Sequence, residues 1–220
     1  RKKTSILAKE ISNIRHNRKE EFIKAIESEM NDLGMSSTKF DVEIMSDEDE
    51  EGILIVDGVN IKANAYGIDN IEFIIAPNKQ SIFQPLRKIA SGGEISRIML
   101  SLKNVLSLGD YCETMVFDEI DVGVGGRIAE VIGEKIAALS KRKQILSVTH
   151  LAQIAIYANT HFKVIKNEGE DNVTSTIEEL NENTRVGEIA RMITGKEITE
   201  ASIKHAAELL EGARKSNIFI

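Results

Sequence analysis

The spacing of apolar residues marks out the elements of this chain. In residues 1–33, Leu7, Ile11, Ile14, Phe22, Ile26, Met30 and Leu33 recur three and four residues apart, the period of a helix face. Polar residues from Arg15 to Glu21 interrupt the stripe, and Gly34 supplies a stop. So narrow a stripe fits either the end of a coiled-coil arm or an amphipathic helix lying on a domain. The period then drops to two. Phe40–Met45 alternates apolar and polar, and Gly52–Val56 and Ile71–Ala76 are rich in Ile and Val, so three strands are expected. Asp47–Glu51 reads as a solvated acidic loop. Pro77-Asn78-Lys79 marks a turn, and residues 81–90 form a connector containing Pro85.

From Ser91 onward the two periods alternate. Ser91-Gly92-Gly93 opens a helix whose apolar face is Ile95, Ile98, Met99, Leu102, Val105 and Leu106. Thr114–Phe117 is a short apolar strand expected to be buried, followed by a helix over Arg127–Leu139. A second apolar strand, Gln144–Val148, leads to a short helix over Leu151–Ala158. A hairpin of Phe162–Ile165 with Val173–Ile177 comes next, and two helices, 186–194 and 200–215, flank Gly195. This alternation predicts an α/β fold, with a mostly parallel sheet flanked by helices. The strands before Ser91 are expected to pair antiparallel.

Length and composition narrow the reading. The 220 residues, 42% of them hydrophobic, suffice for one domain or a large lobe of a bigger one. A formal net charge of -7 argues against nucleic-acid binding by bulk electrostatics. Arg1, Lys2, Lys3, Arg15, Arg18 and Lys19 make the first helix locally basic. A solvated helix face accounts for them more simply than a DNA contact does. The single Cys112 excludes an internal disulfide and fits a reducing cytoplasm. No apolar run reaches the length of a membrane span, and no basic-then-apolar leader is visible. A chain starting at Arg1 rather than Met is expected to be a fragment or a processed product.

The candidate chemistry lies in Ser91–Gly126, SGGEISRIMLSLKNVLSLGDYCETMVFDEIDVGVGG. Two glycines ahead of a helix let backbone N–H groups and the positive helix end approach a phosphate, and Ser91 adds a donor. The plainer alternative makes Ser91 an N-cap with Glu94 completing a capping box. Downstream, MVFDEID places Asp118 and Glu119 at the end of an apolar strand, as in a Walker B motif. There Asp118 would hold Mg²⁺ largely through water, and Glu119 would orient and polarise an attacking water. The alternative is an acidic turn at a strand end. QILSVTH repeats the pattern and ends at Thr149-His150, where His150 could donate to a terminal phosphate or be structural. No P-loop accompanies these motifs. The only Gly-Lys pair, Gly195-Lys196, is followed by Glu197, and Gly123-Val124-Gly125-Gly126 does not complete G-x-G-x-x-G because position 128 is Ile.

These motifs in this order resemble the ABC-type ATPase heads of the SMC-like family. The resemblance rests on IASGGEISRIMLSLK (89–103), MVFDEIDVGVGG (115–126), SVTHLAQIA (147–155) and VGEIARMITGKEITEASIKHAAELL (186–210). It extends back to the N-terminal helix. It departs from the family form at Ala152, where a proline is expected. It implies that residues 1–33 are the returning end of a coiled-coil arm and residues 34–220 the C-terminal lobe of a head. It also implies that the Walker A half and a second head, in a homodimer, complete the site around ATP and Mg²⁺. Ser91, Gly92, Gly93 and Glu94 would then contact the γ-phosphate of ATP held by the partner head. Asp118 would be the metal acid, Glu119 the catalytic base and His150 the switch histidine. Asp121 would lie in a loop crossing the head–head interface. The implied role is ATP hydrolysis in DNA double-strand-break repair and recombination, in a cytoplasmic, nucleoid-associated protein. Two alternatives are an ATP-dependent DNA-binding assembly element, with hydrolysis secondary, and an ABC transporter subunit. The N-terminal helix and the absence of a membrane-coupling signal speak against the transporter.

Overall fold

Residues Lys2–Asp32 form one continuous helix, α1. The polar run from Arg15 to Glu21 does not break it, since Arg, Lys and Glu are good helix formers, and several of its charges are paired. Arg15 pairs with Asp69 at 2.6 Å, Lys19 with Asp41 at 2.9 Å and Arg18 with Glu21 at 2.6 Å. Arg15, Lys19 and Arg18 thus pair with acids of their own chain. The computed structural model describes residues 1–78, 80–89, 91–106, 109, 111–168, 173–195 and 197–216. Lys79 of the predicted turn, Ala90 of the connector and Lys196 of the Gly-Lys pair lie outside the described residues.

The chain divides into two units. Residues 1–91 and 101–105 make the first, residues 92–100 and 106–220 the second. In the first, β1 (Lys39–Ser46) pairs antiparallel with β4 (Asp69–Ala76), in the register Phe40↔Ile75 and Val42↔Phe73. Ile26, Met30 and Leu33 of the α1 end are fully buried, and Phe22, Phe40 and Phe73 meet with ring centroids 5.5 to 6.1 Å apart. Two strands escaped the sequence reading. β3 (Val59–Ile61) makes a hairpin with β2 (Leu54–Val56), and β5 (Gln84–Pro85) lies beside β4. A second apolar cluster joins Ala8 of α1 to Leu54, Val56, Ile61 and Ile68.

In the second unit, β6 (Thr114–Phe117) and β7 (Gln144–Ser147) form the parallel pair, joined by α3 (Gly126–Ser140). The α/β class holds, but among the described residues parallel pairing is confined to this one strand–helix–strand unit. Parallel neighbours need a crossover of a dozen or more residues. After β7 comes only the four-residue helix α4 (Ala152–Ala155), and then a hairpin of β8 (Phe162–Glu168) with β9 (Val173–Glu179), which pairs antiparallel. Nor are the two parallel strands buried on both faces. Met115 and Phe117 point inward, while Val116 is 68% exposed, Leu146 50% and Val148 61%. The helix α2 (Gly92–Leu106) buries Ile98, Leu100 and Leu102, leaving Met99 and Leu106 of the expected face partly exposed.

The helices α5 (Glu182–Thr194) and α6 (Glu200–Lys215) close the unit. Asn181 caps α5 by accepting from the N–H groups of Asn183 and Thr184, and Thr199 and Ser202 form a capping box on α6. Ile189, Ala190, Ala206 and Leu210 of this pair join Ala152, Ala155, Ile156 and Tyr157 in one core. No helix among the described residues is long and apolar enough to cross a membrane.

Candidate functional site

The β6 strand delivers its acids to a loop rather than to a buried pocket. Asp118 and Glu119 are both exposed. Oδ1 of Asp118 accepts from the backbone N–H of Glu119 at 2.9 Å. Glu119 has φ of 58°, in the left-handed region that a non-glycine residue adopts at a cost. The strained turn redirects the chain at once. Val122 donates its N–H to the Glu119 carbonyl at 3.1 Å, and Val124 donates to that of Asp121.

The start of α2 lies against this loop, and its two glycines are what permit the approach. A Cβ on Gly92 would stand 2.0 Å from Oε2 of Glu119. A Cβ on Gly93 would stand 3.0 Å from the Glu119 carbonyl oxygen and 3.1 Å from Cβ of Val122. The first obstacle is the end of a flexible side chain, the second largely backbone. Glycine here therefore serves a contact inside the chain, whatever else it serves. Ser91 is exposed and directly precedes the helix, and Glu94 sits in its first turn.

Two residues that the sequence reading passed over hold the loop to the helix. Ser96 Oγ donates to the Asp118 carbonyl at 2.7 Å. Arg97 donates to the carbonyls of Val122 at 3.0 Å and Ile120 at 3.4 Å, and its residue surface is only 8% exposed. Burial pulls the Arg97 guanidinium below its ordinary range, with Glu94 opposing, though an arginine stays charged. An arginine between Ser96 and Ile98, within the apolar run of the helix, was the signal for it.

Asp121 turns the other way. Its carboxylate is buried, and Oδ2 accepts from Thr149 Oγ at 2.6 Å and from the backbone N–H of His150 at 2.9 Å. Nδ1 of His150 lies 2.9 Å from the same oxygen, while the imidazole side chain is 71% exposed. The structure thus joins the tips of β6 and β7 through Asp121 and leaves His150 facing outward.

Among the described residues, no group of three or more His, Cys, Asp or Glu side chains is placed to hold a metal. A structural metal cage is therefore not what these acids form. One accessible carboxylate, Asp118, suits Mg²⁺, which keeps much of its water and takes its remaining oxygens from phosphate.

No family model matches the chain. It is 43% identical over 203 residues to a DNA repair protein RecN of Treponema pallidum (strain Nichols), a match covering 91% of this chain and 34% of that protein. It is 36% identical over 214 residues to a DNA repair protein RecN of Bacillus subtilis (strain 168), covering 96% of this chain and 37% of the relative. The chain spans about a third of the length of these curated relatives. Among solved structures it is similar to the Smc head domain with a coiled coil and joint from Pyrococcus yayanosii, with a TM-score of 0.51 at 16% identity over 94% of this chain and 31% of that one. That likeness is one of fold, and it matches the SMC-like head expected from the motifs.

Proposed function

We propose that this chain, similar to RecN over most of its own length, is the C-terminal lobe of a RecN-type ATPase head acting in DNA double-strand-break repair. In the complete protein, ATP would lie between two heads, with the Walker A half supplied by a lobe outside this chain. The observation that carries the reading is the pair of exposed acids, Asp118 and Glu119, at the tip of β6, in a loop that Asp121 ties to Thr149 and His150 at the tip of β7.

In this reading Asp118 holds Mg²⁺, which neutralises charge on the phosphates when bound. Glu119, exposed and held at a fixed backbone angle, takes the proton of the attacking water. The N-terminus of α2, with Ser91, Gly92, Gly93 and Glu94, offers N–H groups to phosphate oxygens of a nucleotide on a second head. His150 reads the terminal phosphate from the β7 tip. Residues 1–33 are the foot of a coiled-coil arm, and the protein works on DNA in the cytoplasm, at the nucleoid. The isolated chain lacks the phosphate grip, so it binds ATP weakly and does not hydrolyse it. Micromolar affinity by calorimetry would contradict that.

The direct test is ATP turnover by the complete protein carrying Glu119→Gln. Loss of the general base lowers turnover by about 10²–10⁴-fold. Turnover near wild type removes Glu119 from the chemistry. An ATP-dependent dimer that binds DNA equally well without turnover would recast the protein as an assembly element.

A further inference from the structure

We infer that Arg97, with Ser96 beside it, is a positioning residue that holds the backbone of Glu119 in its left-handed conformation and so sets where that carboxylate stands. The proposal rests on the reading of Glu119 as the catalytic base, but its central claim can be tested without nucleotide. Each backbone carbonyl from Asp118 to Val122 has a donor. Ser96 Oγ donates to that of Asp118 at 2.7 Å. Nη1 of Arg97 donates to those of Val122 at 3.0 Å and Ile120 at 3.4 Å. The two between are served within the loop, where the N–H of Val122 donates to the Glu119 carbonyl at 3.1 Å and that of Val124 to the Asp121 carbonyl at 3.4 Å. Two adjacent side chains of α2 thus take the alternate carbonyls of Asp118, Ile120 and Val122.

Those bonds bracket the strained residue. A non-glycine φ of 58° persists only where the surroundings over-determine it. Relaxing Glu119 to an ordinary conformation would turn the peptide plane that carries the Asp118 carbonyl away from Ser96. It would also carry the Ile120 and Val122 carbonyls off Arg97. The charge on the donor matters, because charged groups make the stronger hydrogen bonds. Arg97 is buried, so little water competes for them. A buried guanidinium in turn needs acceptors, so the arginine and the loop fix each other. Gly93 brings the helix within reach, since a Cβ there would stand 3.0 Å from the Glu119 carbonyl oxygen and 3.2 Å from that of Val122. Arg97 thereby links the start of α2 to the loop that carries Asp118 and Glu119.

The test uses the complete protein with Arg97→Met, which keeps an unbranched side chain and removes the donors, and Arg97→Lys, which returns donors on one nitrogen. Hydrogen exchange without nucleotide comes first. In Arg97→Met the amide of Val122, which closes the turn, should exchange about tenfold faster or more, while that of Val148, which donates to the Phe117 carbonyl, should not change. Unchanged exchange at Val122 overturns the proposal. Equal acceleration at both amides also overturns it, because Arg97 would then support the fold in general. In ATP turnover, Arg97→Met should lower kcat by about tenfold to a hundredfold with little change in KM, and Arg97→Lys should recover most of the loss. Where Glu119→Gln is inactive, a kcat near wild type in Arg97→Met overturns the proposal, as does a lysine variant no better than methionine. Should Arg97→Met fail to fold, Ser96→Ala, which removes only the bond to Asp118, must show both shifts in smaller measure, and the absence of both overturns the proposal. If the exchange result holds but Glu119→Gln leaves turnover near wild type, positioning stands and the reading of Glu119 as base falls.

Discussion

Asp121 and Glu188 are both buried carboxylates, 4% and 7% exposed, and each gathers several donors. The donors of Asp121 are a hydroxyl and a backbone amide, with the His150 imidazole close by. Those of Glu188 are full cations, Arg191 at 2.5 Å and Lys163 at 2.6 Å. Around Glu188 the neighbours continue the theme. Arg185, itself buried, donates to the carbonyls of Ala155, Ile156 and Ala158 at and just past the end of α4. One region uses a buried charge to tie together two strand tips that carry exposed groups, and the other uses it to bind β8, α4 and α5 together. Buried charge alone therefore does not mark a functional site. What separates the two is whether the partners leave reactive atoms facing outward.

Substitutions can break that contrast, and the largest effect belongs to the region of the strand tips. Glu119→Gln in the complete protein should cost about 10²–10⁴-fold in turnover while changing stability by less than about 0.5 kcal/mol, since the side chain is exposed. A melting shift as large as that of a core mutant would mean that Glu119 belongs with the structural set. Next comes Glu188→Ala, which strands Lys163 and Arg191 and should destabilise the chain by about 2–3 kcal/mol in denaturant titration. An unchanged midpoint would show that the cluster binds nothing together. Gly133→Ala should cost about 1–3 kcal/mol, because the new methyl would stand 2.4 Å from Cδ2 of Tyr157 and 3.0 Å from the Gln153 carbonyl oxygen.

The smallest expected effect is on pH. Burial pulls His161 below its ordinary pKa, helped by Arg185 and Lys163 and opposed by Glu188. A histidine held neutral in the fold contributes stability that is complete above its unfolded value, about 6.5, and is lost as pH falls toward the folded one. For Glu188, burial by itself would raise the carboxyl, but the hydrogen bonds and charges of Arg191 and Lys163 outweigh it and bring the carboxyl below its usual range. Its contribution is lost only below the ordinary carboxylate range. Melting curves should therefore weaken below pH about 6.5 and again below about 4.5. His161→Gln should remove the first descent and keep the second. A single descent in wild type would contradict the assignment.

Much of this was legible in the sequence where one signal dominated. The helix α1, the alternation of β1, the apolar run of β4 and the hairpin of β8 with β9 follow from period and apolar content, although Leu7, Ile11 and Ile14 of the α1 stripe are exposed. The missed β3 had its own signal. Asp57 and Gly58, with φ of 51° and 87°, form the two-residue turn between Val56 and Val59, and Asp-Gly between apolar runs predicts such a hairpin. The helix α5 starts four residues before the expected 186 because Asn181 caps it. Other errors had no local remedy. Whether Val116 faces solvent depends on which elements lie over the sheet, and a run of three apolar residues reads the same either way. At the site, the motifs located Gly92, Gly93, Asp118, Glu119 and His150 but not how they meet. The inward turn of Asp121 depends on Thr149 and His150, 28 and 29 residues away, a separation that no spacing rule spans.

The backbone at Glu119 carries a consequence for laboratory evolution. A left-handed conformation costs an ordinary residue about 1–2 kcal/mol and glycine almost nothing, against which glycine loses about 0.5–1 kcal/mol through its freer unfolded chain. A library selected only for heat resistance should therefore enrich glycine at position 119, discarding the carboxylate while improving the fold. Retention of glutamate there under selection for turnover, and its drift to glycine without it, would reveal the tension between durability and chemistry at a single residue.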